Sequence, residues 1–324
     1  MNQNLSLPTM GCGTWAWGNR LLWGYDPSMD SQLQAVFNCC VENGVTLFDT
    51  GDSYGTGKLN GRSESLLGKF SQSYTGINVD KICIATKLAP YPWRLTRQSM
   101  ISACEASAQR LGQNVDLVQM HWSTANYFPW QETQLLQGLA DLYQQGKVKG
   151  VGLSNYGPKR LKKVYQIFKE REIPITTLQV QYSLLSTYPI TELGLKDVCD
   201  ELGIKLIAYS PLALGILTGK YSDDGKFPKG IRRLLFRQLL PGAKPILESL
   251  KAIAASRNKT MAQIAINWCI CKGTIPIPGA KSIEQAQQNI GALGWKLNEG
   301  EIAELDQAAA GTDKKMVQNI FQTR

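Results

Sequence analysis

Hydrophobic and polar residues follow two distinct patterns along this chain. Short apolar runs, rich in Val, Ile and Leu, alternate with longer stretches in which apolar residues recur every three or four positions. The short runs predict eight strands, MGCGTW, VTLFDT, ICIATK, VDLVQMH, VKGVGLSN, TTLQVQYS, IKLIAYS and GTIPIPGA. The amphipathic stretches between and after them, from SQLQAVFNCCVENG to SIEQAQQNIGA, predict the helices. The chain is therefore a succession of eight strand and helix pairs.

Repeated strand and helix units of this kind are typical of a parallel sheet that is covered on both faces. Eight units match a closed (β/α)8 barrel, and 324 residues fit one such barrel or two ordinary domains. Because no linker or low-complexity segment divides the chain, residues 1–324 are predicted to form one α/β barrel domain. The longest irregular stretch is expected from about Thr218 to Pro245, and another long loop from Trp122 to Trp130.

A doubly wound open sheet is the alternative α/β architecture. It would usually bind a dinucleotide through a G-x-G-x-x-G sequence directly after the first strand. The segment MGCGTWAWG does not have that spacing, and tryptophans follow the glycines where a helix should begin. This comparison favours the barrel.

Composition and charge narrow the possible partners. The net charge of +9 is partly concentrated in GPKRLKKVYQIFKER and GKFPKGIRRLLFRQ. Solvated helix and loop faces explain such runs, and no basic module with interleaved aromatic residues indicates nucleic-acid binding. The charge is compatible with an anionic cofactor.

The chain is expected in the cytoplasm without a membrane partner. No early apolar run is long enough to span a bilayer, and the opening MNQNLSLPTMGCG lacks the pattern of a signal peptide. The eight cysteines are scattered and form no paired CxxC cluster with histidine. They predict buried free thiols and no metal site.

Polar side chains end three consecutive predicted strands. Asp49 ends the second and Tyr54 follows it, Lys87 ends the third, and His121, the only histidine, ends the fourth. Singly, they could be a helix cap, a loop aromatic, a solvated lysine and a core histidine. However, functional residues of barrels lie at the carboxyl ends of the strands, and charges that follow apolar residues are costly unless paired. The four side chains are therefore expected to form one site.

These residue types suit the protonation of a carbonyl oxygen. A nearby ammonium favours the ionised form of a phenol, so Lys87 is predicted to lower the pKa of Tyr54 from its ordinary value of about 10. Asp49 would hold the lysine, and an N–H of His121 would orient and polarise the carbonyl. Because no side chain donates hydride, a reduced nicotinamide is implied.

Seven motifs resemble those of the aldo-keto reductase family and cover essentially the whole chain. They are LFDTGDSYG, IATK, VQMHWS, GVGLSNYG, LQVQYSLL, AYSPLALGILTGKY and IPIPGAKSIEQAQQNIGA. The resemblance implies NADPH-dependent reduction of an aldehyde or ketone to an alcohol, with a proton from Tyr54. It implies a catalytic tetrad of Asp49, Tyr54, Lys87 and His121, with NADPH extended across the barrel mouth.

The resemblance also implies contacts for each part of the cofactor. Ser154, Asn155 and Gln179 would bind the nicotinamide carboxamide, and Tyr209 would stack on its ring. The full set of cofactor contacts is Thr14, Trp15, Asp49, Ser154, Asn155, Gln179, Tyr209, Ser210, Pro211, Leu212, Ala213, Lys220, Gly279, Lys281, Gln285, Gln288 and Asn289. The start of the SIEQAQQN helix, with Ser282 as its N-cap, can serve both structure and cofactor binding.

Position 285 relates the chain to one branch of the family. Many members have an arginine there, whereas Gln285 resembles the branch that includes the potassium-channel β subunits. Phosphate recognition would then depend on Lys281, with Arg232 or Arg233 as further cations. Those channel subunits carry asparagine in place of the tetrad histidine, so an intact His121 favours an enzyme.

Aromatic residues follow the third and fourth strands and predict a carbonyl pocket. The predicted substrate contacts are Trp15, Tyr54, Trp93, His121 and Trp122, and Tyr127, Phe128 and Trp130 are either further pocket walls or packing residues. Two other functions stay open: a nucleotide-sensing subunit without appreciable turnover, and a lyase that forms a Schiff base at Lys87. The lyase leaves Asp49, Tyr54 and the cofactor motifs unexplained.

Overall fold

Eight parallel strands form one sheet in which the strands follow their order along the chain. The computed structural model describes residues 5–221, 225, 227–228, 230, 232–312, 315–317 and 319–323. In this part of the chain the strands are β1 (Gly11–Gly13), β2 (Leu47–Asp49), β3 (Cys83–Leu88), β4 (Leu117–Met120), β5 (Gly150–Ser154), β6 (Ile175–Gln181), β7 (Lys205–Tyr209) and β8 (Ile275–Pro276). A parallel bridge between Gly13 and Gly279 joins the two ends of the sheet. The predicted (β/α)8 barrel is therefore confirmed.

Barrel closure depends on a glycine at the end of β1. The Gly13 N–H donates to the carbonyl oxygen of Pro278 at 3.3 Å. A Cβ atom at this position would lie 2.8 Å from the Ile277 carbonyl oxygen. Since that distance is shorter than van der Waals contact, any larger residue would push the two strands apart.

Helices cover the outside of the barrel. Within the described residues they are α1 (Arg20–Trp23), α2 (Asp30–Glu42), α3 (Arg62–Ser73), α4 (Arg97–Leu111), α5 (Pro129–Gln144), α6 (Pro158–Lys169), α7 (Tyr188–Thr191), α8 (Leu195–Glu201), α9 (Arg232–Arg257), α10 (Met261–Cys271), α11 (Ile283–Ile290) and α12 (Glu299–Ala310). Short 3-10 turns lie at Pro27–Met29, Gly57–Leu59, Val79–Lys81 and Ala213–Thr218. Helix α6 buries Leu161, Val164 and Phe168 and exposes its lysines, so the first basic run is a solvated face.

The irregular stretch predicted from Thr218 to Pro245 is shorter than expected. Helix α9 begins at Arg232 and continues through Pro241 and Pro245. Its buried residues recur at helical spacing, and this apolar stripe offsets the hydrogen bonds that the two prolines remove. The stripe comprises Phe236, Leu239, Leu240, Ala243, Ile246 and Leu250. Part of the preceding stretch lies outside the described residues.

The two ends of the barrel differ in chemistry. At the amino-terminal end a separate buried cluster of Leu47, Cys83, Ala85, Leu117, Ile207 and Ile277 is covered by Leu5 and Leu7. The polar residues that the sequence singled out lie at the opposite end. All eight cysteines are free, as predicted, and six of them are buried, whereas Cys39 and Cys271 are partly exposed. None of the described helices combines the length and apolar character needed to cross a membrane.

Candidate active site

The carboxyl ends of β2, β3 and β4 bring the four predicted catalytic side chains together. Asp49 is the last residue of β2, Lys87 lies in β3, and His121 directly follows β4. The centre of the Tyr54 ring lies 4.9 Å from the Lys87 Nζ and 5.9 Å from the centre of the His121 ring. A phenol, an ammonium and an imidazole thus face one another at the barrel mouth.

Lys87 is a buried ammonium, with 1% of its side chain exposed. Its Nζ donates to the Asp49 carboxylate and, at 2.8 Å, to the carbonyl oxygen of Thr50. The other Asp49 oxygen accepts from Gln179 Nε2 at 2.8 Å and from Gln119 Nε2 at 3.1 Å. Burial lowers the pKa of Lys87, and the Asp49 charge opposes this shift. The buried charges are therefore paired and hydrogen-bonded on both sides.

Gln119 is a residue of this cluster that the sequence reasoning missed. It lies two positions before His121 on β4 and pairs with Lys87 across the sheet. Because side chains alternate along a strand, Gln119 shares a face with the residue at position 121. This spacing was the signal that could have identified it.

The prediction that Lys87 lowers the pKa of Tyr54 is wrong for this arrangement. Burial raises the pKa of Tyr54 well above its ordinary value of 10.0, and the charges of Asp49 and Asp52 raise it further. The nearby Lys87 ammonium is already paired with Asp49. Burial and two carboxylates outweigh it, so the phenol stays protonated at neutral pH.

His121 is a neutral imidazole beside Tyr54. Its ring is mostly buried and lies 4.9 Å from the ring of Trp122. Burial, followed by the Lys87 charge, lowers the pKa of His121 from 6.5 to about 3. Its Nδ1 is buried and has no hydrogen-bond partner in the described part of the chain. A neutral ring has one N–H to donate and does not titrate near neutral pH.

The residues predicted to meet the nicotinamide carboxamide do not all point the same way. Asn155 has a left-handed backbone, with φ of 62°, and its Nδ2 donates to the His121 carbonyl oxygen at 3.1 Å and to Ser154 Oγ at 3.1 Å. The Tyr209 hydroxyl donates to Asn155 Oδ1 at 3.0 Å. These groups lie together beside His121, whereas the Gln179 amide is directed at Asp49.

The C-terminal tail contributes residues that the sequence reasoning missed. Asn319 Nδ2 donates to the Tyr209 hydroxyl at 3.0 Å, and the Phe321 ring stacks on Trp122 at 4.4 Å and 15°. The Thr323 N–H donates to the Asn155 carbonyl oxygen at 3.1 Å. The tail has no periodic pattern, so nothing in its sequence relates it to strands far earlier in the chain.

A cluster of cations lies near the ends of β7 and β8. The Lys281 Nζ donates to the Trp23 carbonyl oxygen at 2.8 Å, and the Arg232 guanidinium lies 4.4 Å from the centre of the Trp23 ring. Burial and the charges of Arg232 and Lys220 lower the pKa of Lys281. Trp23 Nε1 and Arg232 Nε are buried donors without partners among the described residues. Clustered cations and free donors fit an anionic ligand such as a phosphate.

This geometry distinguishes the two arginines named from the sequence. Arg232 reaches the cluster and donates to the Leu214 carbonyl oxygen at 2.7 Å, whereas Arg233 is exposed. The loop after β7 that faces the cluster contains left-handed residues at Ser210 and Ala213, with φ of 53° and 48°. Left-handed backbone at such residues is strained and is typical of functional loops.

The start of α11 lies next to the cation cluster. Ser282 caps the helix by accepting from the Gln285 N–H at 3.3 Å, which confirms its predicted N-cap role. Gln285 Oε1 accepts from the Lys281 N–H at 2.8 Å, and Asn289 Nδ2 donates to the Gly279 carbonyl oxygen at 3.4 Å. Gln288 is exposed. Gly279, Lys281 and Gln285 thus lie at the start of α11 next to the cation cluster, whereas Gln288 and Asn289 lie in its last turn.

The remaining predicted contacts lie around the mouth. The Thr14 hydroxyl is buried and donates to the Asp49 carbonyl oxygen at 3.0 Å. Trp15 is 37% exposed and packs edge-on against Trp23, whereas Trp93 is 71% exposed. Trp122 Nε1 donates to the Tyr127 hydroxyl at 2.8 Å. Tyr127 therefore holds in place the Trp122 ring, which is one wall of the predicted pocket. The exposure of Tyr127, Phe128 and Trp130 excludes core packing in this chain.

Comparison with known proteins gives consistent similarities. The model of the Aldo/keto reductase family matches residues 9–310. A chloroplastic pyridoxal reductase of Arabidopsis thaliana is 55% identical over 323 residues, which cover 99% of this chain and 88% of the relative. An aldo-keto reductase of Klebsiella pneumoniae in complex with NADPH is 25% identical, with a TM-score of 0.73 over 97% of this chain and 95% of that chain.

A further solved structure supports the barrel alone. The glycerol dehydrogenase of Gluconobacter oxydans has a TM-score of 0.80 at 24% identity and covers 99% of this chain and 97% of its own. The predicted relation to the branch of the potassium-channel β subunits stays a prediction.

Proposed function

We propose that this chain, which belongs to the aldo/keto reductase family, reduces aldehydes or ketones to alcohols with NADPH. The observation that carries the proposal is the meeting of Tyr54, Lys87 and His121 at the barrel mouth, with Asp49 behind the lysine. The NADPH complex of the Klebsiella pneumoniae relative supports the choice of cofactor.

In this mechanism Tyr54 is the proton donor. Bound NADPH supplies the hydride that reaches the carbonyl carbon. The neutral His121 donates its N–H to the carbonyl oxygen and orients it, while Tyr54 transfers its hydroxyl proton to that same oxygen. The phenolate that remains is stabilised by the Lys87 ammonium, which Asp49 holds in place. A proton from solvent restores the phenol.

The cofactor would extend from this site to the cation cluster. Asn155 and Ser154 would bind the carboxamide, and the Tyr209 ring would stack on the nicotinamide. Lys220, Arg232 and Lys281 would bind the phosphates, since their charges repel one another until an anion lies between them. The backbone of Ser210, Pro211, Leu212 and Ala213, together with Thr14, Trp15, Gln179, Gly279, Gln285, Gln288 and Asn289, would complete the predicted set.

Pyridoxal is the first substrate to test. It is an aromatic aldehyde, and the name of the Arabidopsis thaliana relative assigns it to that protein. Trp122 and the stacked Phe321 offer a flat aromatic wall beside His121, which suits a planar ring. Trp15, Tyr54 and Trp93 remain proposed contacts of the substrate.

The direct test is turnover. NADPH oxidation would be followed by absorbance with pyridoxal and with panels of aromatic, aliphatic and sugar aldehydes, ketones and quinones. Tight NADPH binding without turnover on any carbonyl would support the nucleotide-sensing function instead. A covalent adduct at Lys87, trapped with borohydride and found by peptide mapping, would support the lyase.

Lys281→Ala is expected to weaken NADPH binding much more than NADH binding. Lys281 is the cation that the GAKS segment contributes to the predicted 2′-phosphate site, and a hydrogen bond to a charged group contributes about 1.5 to 3 kcal/mol. Fluorescence titration with both cofactors would measure the difference. The exposed Lys296→Ala is the matched control. Equal losses for NADPH and NADH would place the 2′-phosphate elsewhere.

Phe321→Ala is expected to raise KM for pyridoxal by about threefold to tenfold, the range that an aromatic pair contributes. Reduction of a small aliphatic aldehyde should change less, because it needs no flat wall. The neighbouring Ile320→Ala, at a side chain that is 86% exposed, is the control within the same tail. Equal effects on both aldehydes would contradict a wall for aromatic substrates.

We also propose that residues 1–324 form a single domain, since the family match and the barrel strands extend over nearly the whole chain. The cytoplasmic location stays a prediction, and the name of the Arabidopsis thaliana relative places that protein in the chloroplast.

A further inference from the structure

Asp52 is a buried carboxylate that the proposed reaction does not use. It lies between Asp49 and Tyr54 in the loop after β2 and is 4% exposed. Its Oδ2 accepts from Arg94 Nη1 at 2.5 Å, and its Oδ1 accepts from the Ala89 N–H at 3.2 Å. Arg94 belongs to the loop after β3, and 14% of its side chain is exposed. If either partner were removed, an uncompensated charge would remain beside the site.

The ion pair joins the two loops on which the proton donor depends. The Asp52 N–H donates to the Lys87 carbonyl oxygen at 2.9 Å, so the loop of Tyr54 is fastened to β3. Arg94 is itself fixed, because its carbonyl oxygen accepts from Gln131 Nε2 of α5 at 3.0 Å. A movement of Arg94 would therefore be transmitted to the loop that carries Tyr54.

Two carboxylates lie beside Tyr54, so a second cation besides Lys87 is needed to balance their charge. The phenol faces Asp49 and Asp52 on its own side, Lys87 from β3, the neutral imidazole that follows β4 and the Tyr209 hydroxyl of β7. Behind them, the buried Glu64 is paired with Arg110 at 2.6 Å. Lys87 matches Asp49, which leaves Asp52 to be matched by Arg94.

We propose that Arg94 is a positioning residue for proton transfer, which through its ion pair with Asp52 holds the Tyr54 loop and neutralises the second carboxylate beside the phenol. The inference rests on the proposed function of Tyr54 as proton donor. Arg94 acts through Asp52, so its importance depends on the charge at position 52.

The loss of Arg94 should produce a specific dependence on pH. Burial raises the pKa of Asp52, and Arg94 counteracts that rise. Without Arg94 the pKa of Asp52 increases further, towards the range of enzyme assays. Above that pKa an unpaired carboxylate stands beside the phenol, raises the pKa of Tyr54 and makes it a weaker acid. Reduction should therefore slow as pH rises.

The test is a double-mutant cycle with Arg94→Gln, Asp52→Asn and the double variant, assayed for kcat with NADPH and pyridoxal across the pH range. Arg94→Gln should lower kcat at alkaline pH by about tenfold, which corresponds to one pKa unit, and should recover part of it at acidic pH. In the Asp52→Asn background the same change should have little effect. Arg94→Lys should retain most of the activity.

A second measurement does not need turnover. Carbon-13 NMR of the cofactor-free protein with labelled aspartate would follow the Asp52 carboxyl group, assigned by its absence in Asp52→Asn. Its pKa should be higher in Arg94→Gln than in the wild type. If Arg94→Gln does not fold, the inference requires that the double variant folds and matches Asp52→Asn.

Arg97→Gln is the matched control, because Arg97 is half-exposed and pairs at 3.6 Å with Asp141, away from the Tyr54 loop. It should leave kcat and its pH profile unchanged. The inference would be overturned if Arg94→Gln lowered kcat equally in the wild type and in the Asp52→Asn background, or if it left the pH profile of kcat unchanged. Failure of the wild type to reduce any carbonyl would instead refute the proposed function, and the NMR titration would still test the pair.

Discussion

Tyr54→Phe is expected to abolish carbonyl reduction while NADPH affinity stays nearly unchanged. The substitution removes only the hydroxyl, so the ring keeps its contacts with Lys87 and His121. A positioned general acid contributes roughly 10² to 10⁴ in rate, and the neighbouring Tyr209 hydroxyl is hydrogen-bonded to Asn155 and Asn319 instead. Burial and the neighbouring carboxylates keep the phenol protonated over the whole assay range.

Steady-state kinetics with pyridoxal and fluorescence titration with NADPH would measure the two parts of this prediction. Tyr165→Phe, on helix α6 outside the barrel, is the control for the loss of a phenol elsewhere. Near wild-type turnover by Tyr54→Phe would show that another group supplies the proton. A parallel loss of NADPH affinity would show that the hydroxyl has a structural role in the cofactor site.

The meeting of the tetrad residues was predictable because it follows from topology alone. In a barrel whose strands keep their chain order, the ends of β2, β3 and β4 are neighbours, so Asp49, Lys87 and His121 had to converge. The same rule could have added Gln119, which shares a strand face with the residue at position 121. The alternation of side chains along β4 therefore indicates a place in the site for Gln119 that the motif by itself does not assign.

The electrostatics of the site could not be predicted in the same way. Whether an ammonium lowers the pKa of a phenol depends on the sum of all nearby charges and on burial. The sequence motif showed Lys87 but gave no reason to count Asp52, whose partner Arg94 belongs to another loop. Burial depends on the packed barrel as a whole, and it reversed the predicted sign for Tyr54.

Helix α10, the full length of α9 and the C-terminal tail are parts of the fold that the pattern did not predict. In α10, six consecutive residues from Ile264 to Cys269 are buried, so there is no amphipathic contrast to reveal the helix. In α9, Pro241 and Pro245 look like helix breakers, yet tertiary packing overrides them. The tail residues Asn319 and Phe321 reach the site only through the three-dimensional course of the chain.

His121→Asn is expected to lower kcat/KM for reduction by about 10² to 10³ while cofactor binding persists. This is the scale for the loss of one well-placed donor to a developing oxyanion. Asparagine keeps a donor, but its shorter side chain cannot reach the same carbonyl oxygen. Since the pKa of His121 is about 3, the wild type should show no kinetic ionisation near pH 6.5 from this residue.

Stability measurements separate this role from that of a core histidine. The His121 ring is neutral in the folded protein down to pH of about 3, whereas in the unfolded chain it binds a proton below about 6.5. Between these values the unfolded state holds the extra proton, so the free energy of unfolding of the wild type should decrease as pH falls. His121→Asn removes this part of the pH dependence.

The two roles predict opposite results at neutral pH. A core histidine replaced by an unpartnered amide would cost about 1 to 3 kcal/mol of stability and leave catalysis per folded molecule intact. If His121 is instead a donor at the mouth, next to Tyr54 and Trp122, the His121→Asn variant should lose catalysis and keep the wild-type melting temperature. Thermal melts with and without NADPH, run beside the kinetics, measure both. A clearly lower melting temperature with full activity per folded molecule would overturn the orienting role of His121.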